Sequence, residues 1–219
     1  MPVFLLVLLQ SYFAAYQADC RDALKFLNDH STEIRTCMPE LTAEEKTMAL
    51  AIVAPELSQF SHVLDFVELR ALFVSYRSFG RGDFSVGYFQ MKPSFVETLE
   101  AEISKNKDQK KKYASYIPTG DGKSQREQRL KRLSTLEWQL KYLEVFFKIA
   151  LKKTSAIKFK DNNEKLKYLA TLYNSGLNCS QTKVAEMQKK TYFPHNVRKY
   201  NYSDVALEFY KELLKNPIK

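Results

Sequence analysis

The chain has 219 residues, a length that suits one domain with a substantial core. Its 45% of hydrophobic residues excludes a disordered chain and a membrane bundle, and its 6 glycines and 7 prolines disfavour a turn-rich sandwich or barrel. The formal net charge of +9 favours a polyanionic partner such as nucleic acid, anionic lipid or an acidic wall polymer. The spacing of the three Cys and three His matches no zinc motif, and no Walker or dinucleotide motif is found. We therefore expect a mainly helical protein.

Residues 1–18 are predicted to be a secretory signal peptide. Val3–Leu9 is a short apolar core followed by small residues, so cleavage is expected after Ala15 or Ala18. The stretch is too short for a membrane span, which needs ~20 apolar residues. A buried N-terminal helix and a lipid anchor at Cys20 stay open as alternatives. The remaining chain is expected to form one domain, residues 19–219.

A buried helix is predicted to begin at Thr42, because Glu45 stands three residues later and completes a capping box. The nearly continuous apolar run Met48–Ala54 follows it. Pro55 lacks a backbone N–H and hinders the turn before it, so the helix is expected to kink or end near Glu56. The sequence thus places a carboxylate at the end of a buried helix.

The rest of the chain is also predicted to be mainly helical. Arg126–Lys153 has an apolar residue every three or four positions and is expected to be one long amphipathic helix. Ser104–Gln125 is rich in Lys, Pro and Gly and is predicted to be a mobile surface insertion. The other predicted helices are Ser61–Ser78, Ser94–Ser104, Asn163–Asn174, Gln181–Lys190 and Ser203–Leu214.

Residues 83–94, DFSVGYFQMKPS, are too broken for a long helix and too apolar for a surface loop. Ser85, Gly87 and Gln90 occur there in the order S-x-G-x-x-Q. Gly87 permits a close backbone approach or a positive φ, and the Gln90 amide both donates and accepts hydrogen bonds. A polar side chain between packed aromatic residues suits the wall of a polar-ligand groove. On these residues alone, a turn between helices with an incidental Gln is the favoured interpretation.

Three pieces of the chain occur in the order of a known set of motifs: ALAIVAPELSQFS with Glu56, DFSVGYFQMKPS, and YLATLYNSG. Together they resemble the lysozyme-like soluble lytic transglycosylases, over roughly Thr42 to Tyr210. That family has a helix-borne Glu, a serine-containing loop running into Gly-Leu-Met-Gln with a nearby Pro, and an Ala-Tyr-Asn-x-Gly motif. The stretch Phe193–Tyr210, FPHNVRKYNYSDVALEFY, resembles the family's closing segment, in which a Tyr near the last helix lines the groove.

The chain departs from the family's pattern in three respects. Tyr88 and Phe89 stand where the family usually has Leu and Met. The stretch between Glu56 and Gln90 is longer than in the family. Ser58 follows the acid at one remove rather than directly.

The resemblance implies a lysozyme-like helical domain with a groove between helical lobes, and an enzyme that cleaves the MurNAc–GlcNAc β-1,4 bond of peptidoglycan. Glu56 is expected to protonate that bond and then, as a base, to direct the muramoyl 6-hydroxyl into a 1,6-anhydro ring. Its apolar neighbours are expected to raise its pKa. No metal or organic cofactor is implied. The residues implied to bind substrate are Ser85, Gly87, Tyr88, Gln90, Tyr173 and Asn174.

Several alternatives stay open. Glu68 is a rival acid, and Asp83 is a candidate second carboxylate for a muramidase-type hydrolase. A non-catalytic peptidoglycan-binding relative, a basic nucleic-acid binder and a helical adaptor are the others. The leading interpretation places a monomer in the periplasm or cell envelope. Its partner is the peptidoglycan glycan strand rather than nucleic acid, and it meets the membrane only through export or an anchor.

Overall fold

The computed structural model describes residues 10–60, 66–194 and 198–218, with the backbone alone at 66–71. About 70% of the chain is helical, which confirms the predicted mainly α class. In chain order the helices are α1 (Tyr12–Ala15), α2 (Gln17–Asp29), α3 (Ser31–Cys37), α4 (Ala43–Gln59), α5 (Phe66–Phe79), α6 (Pro93–Ser104), α7 (Lys107–Lys112), a short 3-10 helix (Ala114–Tyr116), α8 (Gly122–Leu133), α9 (Leu136–Lys153), α10 (Asn162–Ser175), α11 (Gln181–Met187) and α12 (Tyr202–Lys215).

The core is organised around α4, which packs along α12 and also contacts α2 and α10. The predicted capping box opens this helix: the Glu45 N–H donates to Thr42 Oγ1 at 3.2 Å, and the Thr42 N–H donates to Glu45 Oε2 at 2.9 Å. The helix continues through Pro55 to Gln59, one turn beyond the predicted end near Glu56. Almost every side chain of this last turn is buried, and this packing holds the turn in place although Pro55 has no backbone N–H to donate.

Other predicted helices are present with small shifts at their ends. Asn162–Ser175 stops at Gly176, whose φ of 112° confirms the predicted glycine C-terminal signal. Pro93–Ser104 begins one residue before its predicted start. Of the predicted helix Ser61–Ser78, residues 61–65 lie outside the described part of the chain.

The prediction of a single helix over Arg126–Lys153 is wrong, because the chain breaks between α8 and α9. The Ser134 hydroxyl donates to the Leu130 carbonyl at 2.8 Å, and the Thr135 hydroxyl donates to the Arg132 carbonyl at 3.1 Å. Such side-chain donors compete with the backbone N–H groups that would continue a helix. The apolar periodicity continues across the break, so it does not reveal the break.

The Lys-rich segment Ser104–Gln125 was predicted to be a mobile surface insertion, and its mobility stays a prediction. It contains α7, the 3-10 helix and the start of α8. Tyr113 is buried, and the Tyr116 ring packs edge-on against Trp138 at 5.4 Å between centroids. Arg132 donates to the Tyr116 carbonyl at 2.6 Å and lies over the Trp138 ring. Aromatic side chains therefore fasten this basic segment to α8 and α9.

Part of the predicted signal peptide, residues 10–18, is packed into the fold; residues 1–9 lie outside the described ranges. Tyr12 is fully buried. Its hydroxyl accepts a hydrogen bond from Gln59 Nε2 at 2.7 Å and shares another with Ser58 Oγ at 2.8 Å. Cleavage within residues 10–18 stays a prediction. Across the described ranges, no helix is long and apolar enough to cross a membrane.

We expect the substitution Tyr12→Phe to lower the free energy of unfolding by about 1 to 2 kcal/mol, because it leaves buried polar groups of Ser58 and Gln59 without their partner. Urea unfolding followed by circular dichroism measures the change. Tyr16→Phe is the matched control, since Tyr16 is only half-buried and its hydroxyl forms no hydrogen bond with the described residues. Equal effects of the two substitutions would contradict the structural role of the Tyr12 hydroxyl.

Candidate functional site

Glu56 lies one turn before the end of α4 and keeps part of its surface in contact with solvent, whereas Pro55 and Leu57 beside it are buried. Burial raises the pKa of the Glu56 carboxyl to about 7, against the lowering effects of the Lys92 charge and a hydrogen bond with the Asn174 side chain. The sequence predicted that apolar neighbours would desolvate this acid, and desolvation is the main cause of its raised pKa in the structure. A carboxyl with this pKa can both give and take a proton near neutral pH.

The end of α10 brings two of the predicted site residues to Glu56. Asn174 lies beside the carboxyl and lowers its pKa, and the Asn174 Oδ1 accepts a hydrogen bond from the Tyr192 hydroxyl at 2.7 Å. Tyr173 is buried, and its hydroxyl donates to the Phe89 carbonyl at 2.6 Å. Burial raises the pKa of both tyrosines, and the nearby negative charge of Glu56 raises it further.

The first residue of α12 contributes a further group next to Glu56. Tyr202 is buried, its hydroxyl donates to the Ile52 carbonyl on α4 at 2.9 Å, and burial followed by the Glu56 charge raises its pKa. Sequence reasoning pointed to a Tyr within Phe193–Tyr210 without identifying which one, because the motif there is diffuse. Tyr192, which directly precedes that stretch, was not among the predicted site residues.

The S-x-G-x-x-Q sequence forms a tight turn. Val86 and Met91 exchange two backbone hydrogen bonds, at 2.9 and 3.1 Å, and both Gly87 and Gln90 have a positive φ, of 71° and 49°. The Gln90 amide nitrogen donates to the Gly87 carbonyl at 2.7 Å. The predicted positive φ of Gly87 is confirmed, whereas the Gln90 amide partly serves the turn itself. Ser85 lies half-buried at its start.

A buried amide that sequence reasoning missed holds this turn in place. Gln139 on α9 accepts a hydrogen bond from the Phe89 N–H at 2.8 Å and donates to the carbonyls of Leu133 and Val86, at 2.5 and 3.3 Å. A Cβ on Gly87 would overlap the Gln139 amide and lie 2.7 Å from the Leu133 oxygen. The sequence did contain a signal for Gln139, because this polar residue stands inside the largely apolar segment LEWQLKYLEVFF.

The rival carboxylates differ in their surroundings. Asp83 is about half exposed, accepts a hydrogen bond from the Ser94 hydroxyl at 2.6 Å, and lies 3.4 Å from the Lys92 ammonium. Lys92 therefore interacts with Asp83 and also lowers the pKa of Glu56. Glu68 belongs to α5, but its side chain lies outside the described part of the structure.

Tyr88 differs from the other predicted site residues in its contacts. Its ring lies between Phe26 and Phe60, with centroid distances of 4.7 and 4.8 Å. It therefore belongs to an aromatic cluster beside the turn.

Within the described ranges, no group of three or more His, Cys, Asp and Glu side chains is arranged to hold a metal ion. Cavities of about 320 and 420 Å³ lie beside α11 and α7, and Glu56 lines neither of them.

Gly87→Ala is expected to destabilise the protein by about 2 to 5 kcal/mol, because it combines a strained positive φ with overlap against the Gln139 amide. Gly80→Ala is the matched control: Gly80 has a similar φ of 66°, but its nearest neighbours would be 3.7 Å away. We expect the control to cost about 1 to 2 kcal/mol for the backbone alone. Chemical denaturation measures both, and a control as costly as Gly87→Ala would contradict the packing argument.

Glu56→Gln is expected to stabilise the protein increasingly as pH rises. The folded pKa of about 7 lies above the unfolded value of 4.5, so between these pH values the carboxyl ionises in the unfolded chain while it stays protonated in the folded protein, and the wild type loses stability. We expect the stability difference, variant minus wild type, to grow by about 2 to 3 kcal/mol between pH 4.5 and 8.

Glu45→Gln, at the other end of α4, is the control with the opposite sign. Burial alone would raise the pKa of Glu45, but its hydrogen bonds with Thr42 and the Lys148 charge make the net change a lowering. Its ionised form therefore stabilises the fold, and the variant should lose relative stability as pH rises through the acidic range. Parallel pH profiles for wild type and Glu56→Gln would refute the burial of the Glu56 carboxyl.

Comparison of the chain with protein-family models, with curated proteins and with solved structures finds no match.

Proposed function

We propose that the protein is a peptidoglycan lytic transglycosylase that cleaves the MurNAc–GlcNAc β-1,4 bond with Glu56 as its only general acid and base. The observation that carries the proposal is the cluster around Glu56. Three sequence pieces that are distant along the chain meet there, and each resembles a motif of the lytic transglycosylases. Chance similarity of three short motifs does not require that they meet in space.

The first chemical step needs a proton at the glycosidic oxygen. Protonated Glu56 gives this proton, and the bond between the muramoyl C1 and that oxygen breaks. With a pKa of about 7, a large fraction of Glu56 carries its proton at neutral pH. Burial raises the pKa of Glu56 by the same mechanism that raises the pKa of the general acid in other glycosidases.

The second step uses the same residue in reverse. The Glu56 carboxylate takes the proton of the muramoyl 6-hydroxyl, whose oxygen then bonds to C1 and closes the 1,6-anhydro ring. No water is consumed, so a second carboxylate that activates water is not needed. The hydrogen bond with Asn174 and the Lys92 charge both favour the carboxylate that must form between the two steps.

The remaining predicted residues receive binding roles. Gly87 shapes the tight turn, whose half-buried members present backbone groups and side chains to a glycan strand. Tyr173 and Asn174 hold the turn in place next to the acid, since the Tyr173 hydroxyl donates a hydrogen bond to the Phe89 carbonyl. The substrate-contacting side chains in this proposal are Ser85, Tyr88 and Gln90.

A groove between helical lobes, a monomeric state and a location in the periplasm or cell envelope are further parts of the proposal. The net charge of +9 supports it, because an anionic wall polymer attracts a basic protein. Membrane contact is limited to export or an anchor, and nucleic acid is not a partner.

Digestion of purified peptidoglycan, with products read by mass spectrometry, tests the function. We expect the wild type to release 1,6-anhydromuramoyl products and Glu56→Gln to lose about 10³-fold in rate, the scale of general acid–base catalysis. The wild-type rate should fall as pH rises above about 7, because the proton donor is then ionised.

Two conservative controls, Asp83→Asn and Glu68→Gln, keep the proposal open to contradiction. Products with reducing-end muramic acid that depend on Asp83 would instead indicate a muramidase-type hydrolase. Activity that survives Glu56→Gln but not Glu68→Gln would reassign the acid. Wall binding without any product from the wild type would leave a non-catalytic peptidoglycan-binding relative.

A further inference from the structure

Lys92 is the first residue after the Gly87 turn, and its side chain carries a positive charge at the edge of that turn. Its neighbour Met91 closes the turn through two backbone hydrogen bonds with Val86. The Lys92 side chain is 50% exposed, and its ammonium lies 3.4 Å from a carboxylate oxygen of Asp83. Lys92 therefore presents its charge to solvent where the turn ends and α6 begins.

The Gly87 turn contacts the ends of both helices that form the candidate site. The Tyr88 ring lies 4.8 Å from the ring of Phe60, the residue that directly follows α4. The Phe89 carbonyl accepts a hydrogen bond from the Tyr173 hydroxyl near the end of α10, at 2.6 Å. The turn is thus held between these two helix ends, and the residue that follows it lies at the edge of the same site.

The charge of Lys92 also acts on the candidate acid. Glu56 stands one turn before the end of α4, and the Lys92 charge lowers its pKa. Interactions between charges fall off with distance and are screened by salt, which agrees with a position of the ammonium near Glu56. Lys92 is the more exposed of the two side chains. A ligand that reaches Glu56 from solvent therefore passes close to this ammonium.

The contact with Asp83 leaves the donors of the Lys92 ammonium available. Its 3.4 Å separation is longer than the roughly 2.7 to 2.9 Å of a charge-assisted hydrogen bond. Asp83 has a closer partner in the Ser94 hydroxyl, at 2.6 Å. Both charged side chains are about half exposed, and exposed ion pairs of this kind contribute little. An ammonium has three donors, so it can bind a second carboxylate while it stays next to Asp83.

A carboxylate is also the group that distinguishes the two sugars of the proposed substrate. N-acetylglucosamine is neutral. The muramoyl residue carries a lactyl ether, which ends in a carboxylate when it is free and otherwise holds the stem peptide with carboxylates of its own. A half-exposed ammonium next to the candidate acid complements such a group, whereas a neutral strand offers it no charge.

We propose that Lys92 Nζ binds the carboxylate that the muramoyl residue carries on its lactyl ether or its stem peptide, and that the site thereby prefers muramoyl-containing strands to neutral ones. This inference rests on the proposed function for its substrate class. It gives Lys92 a role in substrate specificity, separate from the proton transfers at Glu56.

Titration calorimetry on Glu56→Gln protein tests this role, because the substitution prevents turnover and removes the effect of Lys92 on the acid. Three ligands are compared: the β-1,4-linked tetramer of N-acetylglucosamine, a peptide-free tetrasaccharide of alternating GlcNAc and MurNAc, and the same tetrasaccharide with its stem peptides. We expect Lys92→Gln to weaken the binding of muramoyl ligands about threefold to tenfold, the scale of a partly exposed charge-assisted contact, and to leave the neutral tetramer unaffected. Lys92→Arg keeps the charge and should keep most of the affinity.

The two muramoyl ligands identify which carboxylate is bound. A loss that is already present with the peptide-free tetrasaccharide assigns the contact to the lactyl carboxylate. A loss that appears only with the peptide-bearing ligand assigns it to the stem peptide. Equal weakening for all three ligands, or no change for any of them, would overturn the proposal.

Lys183→Gln is the matched control. Lys183 lies on α11, is 47% exposed and has the Glu186 carboxylate beside it, so it resembles Lys92 in exposure and pairing. A similar loss in this variant would show unspecific attraction to a basic protein and would overturn the role of Lys92. The Lys92 side chain makes no capping hydrogen bond at the start of α6, so its replacement should leave the fold intact, which circular dichroism checks.

Digestion of peptidoglycan by the same variants without the Glu56 substitution separates specificity from chemistry. Muramoyl-ligand binding that depends on Lys92, with no cleavage by the wild type, would support the anion contact and overturn the enzymatic proposal. Anhydromuramoyl products, with ligand affinities unchanged in Lys92→Gln, would support the enzyme and overturn the contact. Absence of muramoyl-ligand binding to Glu56→Gln and wild-type protein alike would also overturn the contact.

Discussion

The buried Gln139 amide is the interaction on which the geometry of the candidate site depends. Its three hydrogen bonds join the end of α8 to the Gly87 turn. The Phe89 backbone is thereby held from both sides: its N–H donates to Gln139, and its carbonyl accepts from the Tyr173 hydroxyl. A buried polar group that is fully paired adds rigidity, whereas an unpaired one is costly. The turn can therefore take only a narrow range of positions relative to α10 and Glu56.

The acid itself is held at the expense of stability. Almost every other side chain of the last two turns of α4 is buried, so the Glu56 carboxyl is surrounded by groups that cannot replace water. Asn174 and Lys92 only partly compensate for this, because the net change in the pKa is upward. Strained or destabilised groups of this kind concentrate at functional positions. The tyrosines around the acid are hydrogen-bonded, and Tyr173 and Tyr202 are also buried, which fixes the surroundings in which its proton is held.

Local signals in the sequence predicted a large part of this arrangement. The capping box of α4 and the glycine stop of α10 depend on two or three neighbouring residues, and both are present as predicted. The break between α8 and α9 was missed because Ser134 and Thr135 interrupt hydrogen bonding without changing the apolar period. Gln139 was missed because its partners come from elsewhere in the chain. The Lys-rich composition of the basic segment does not reveal the aromatic contacts that join it to α9.

The hairpin-like segment before α12 connects the beginning of the chain to the site. The Tyr200 carbonyl accepts hydrogen bonds from the Tyr192 and Phe193 N–H groups, and the Tyr200 hydroxyl donates to the Gln10 carbonyl at 3.3 Å. Tyr192 in turn bonds to Asn174. Docking of the N-terminal segment and ordering of the site are therefore thermodynamically linked, and such coupling is reciprocal. A ligand that immobilises Asn174 would tighten the attachment of the N-terminal segment, and detachment of that segment would weaken the ligand's binding by the same factor.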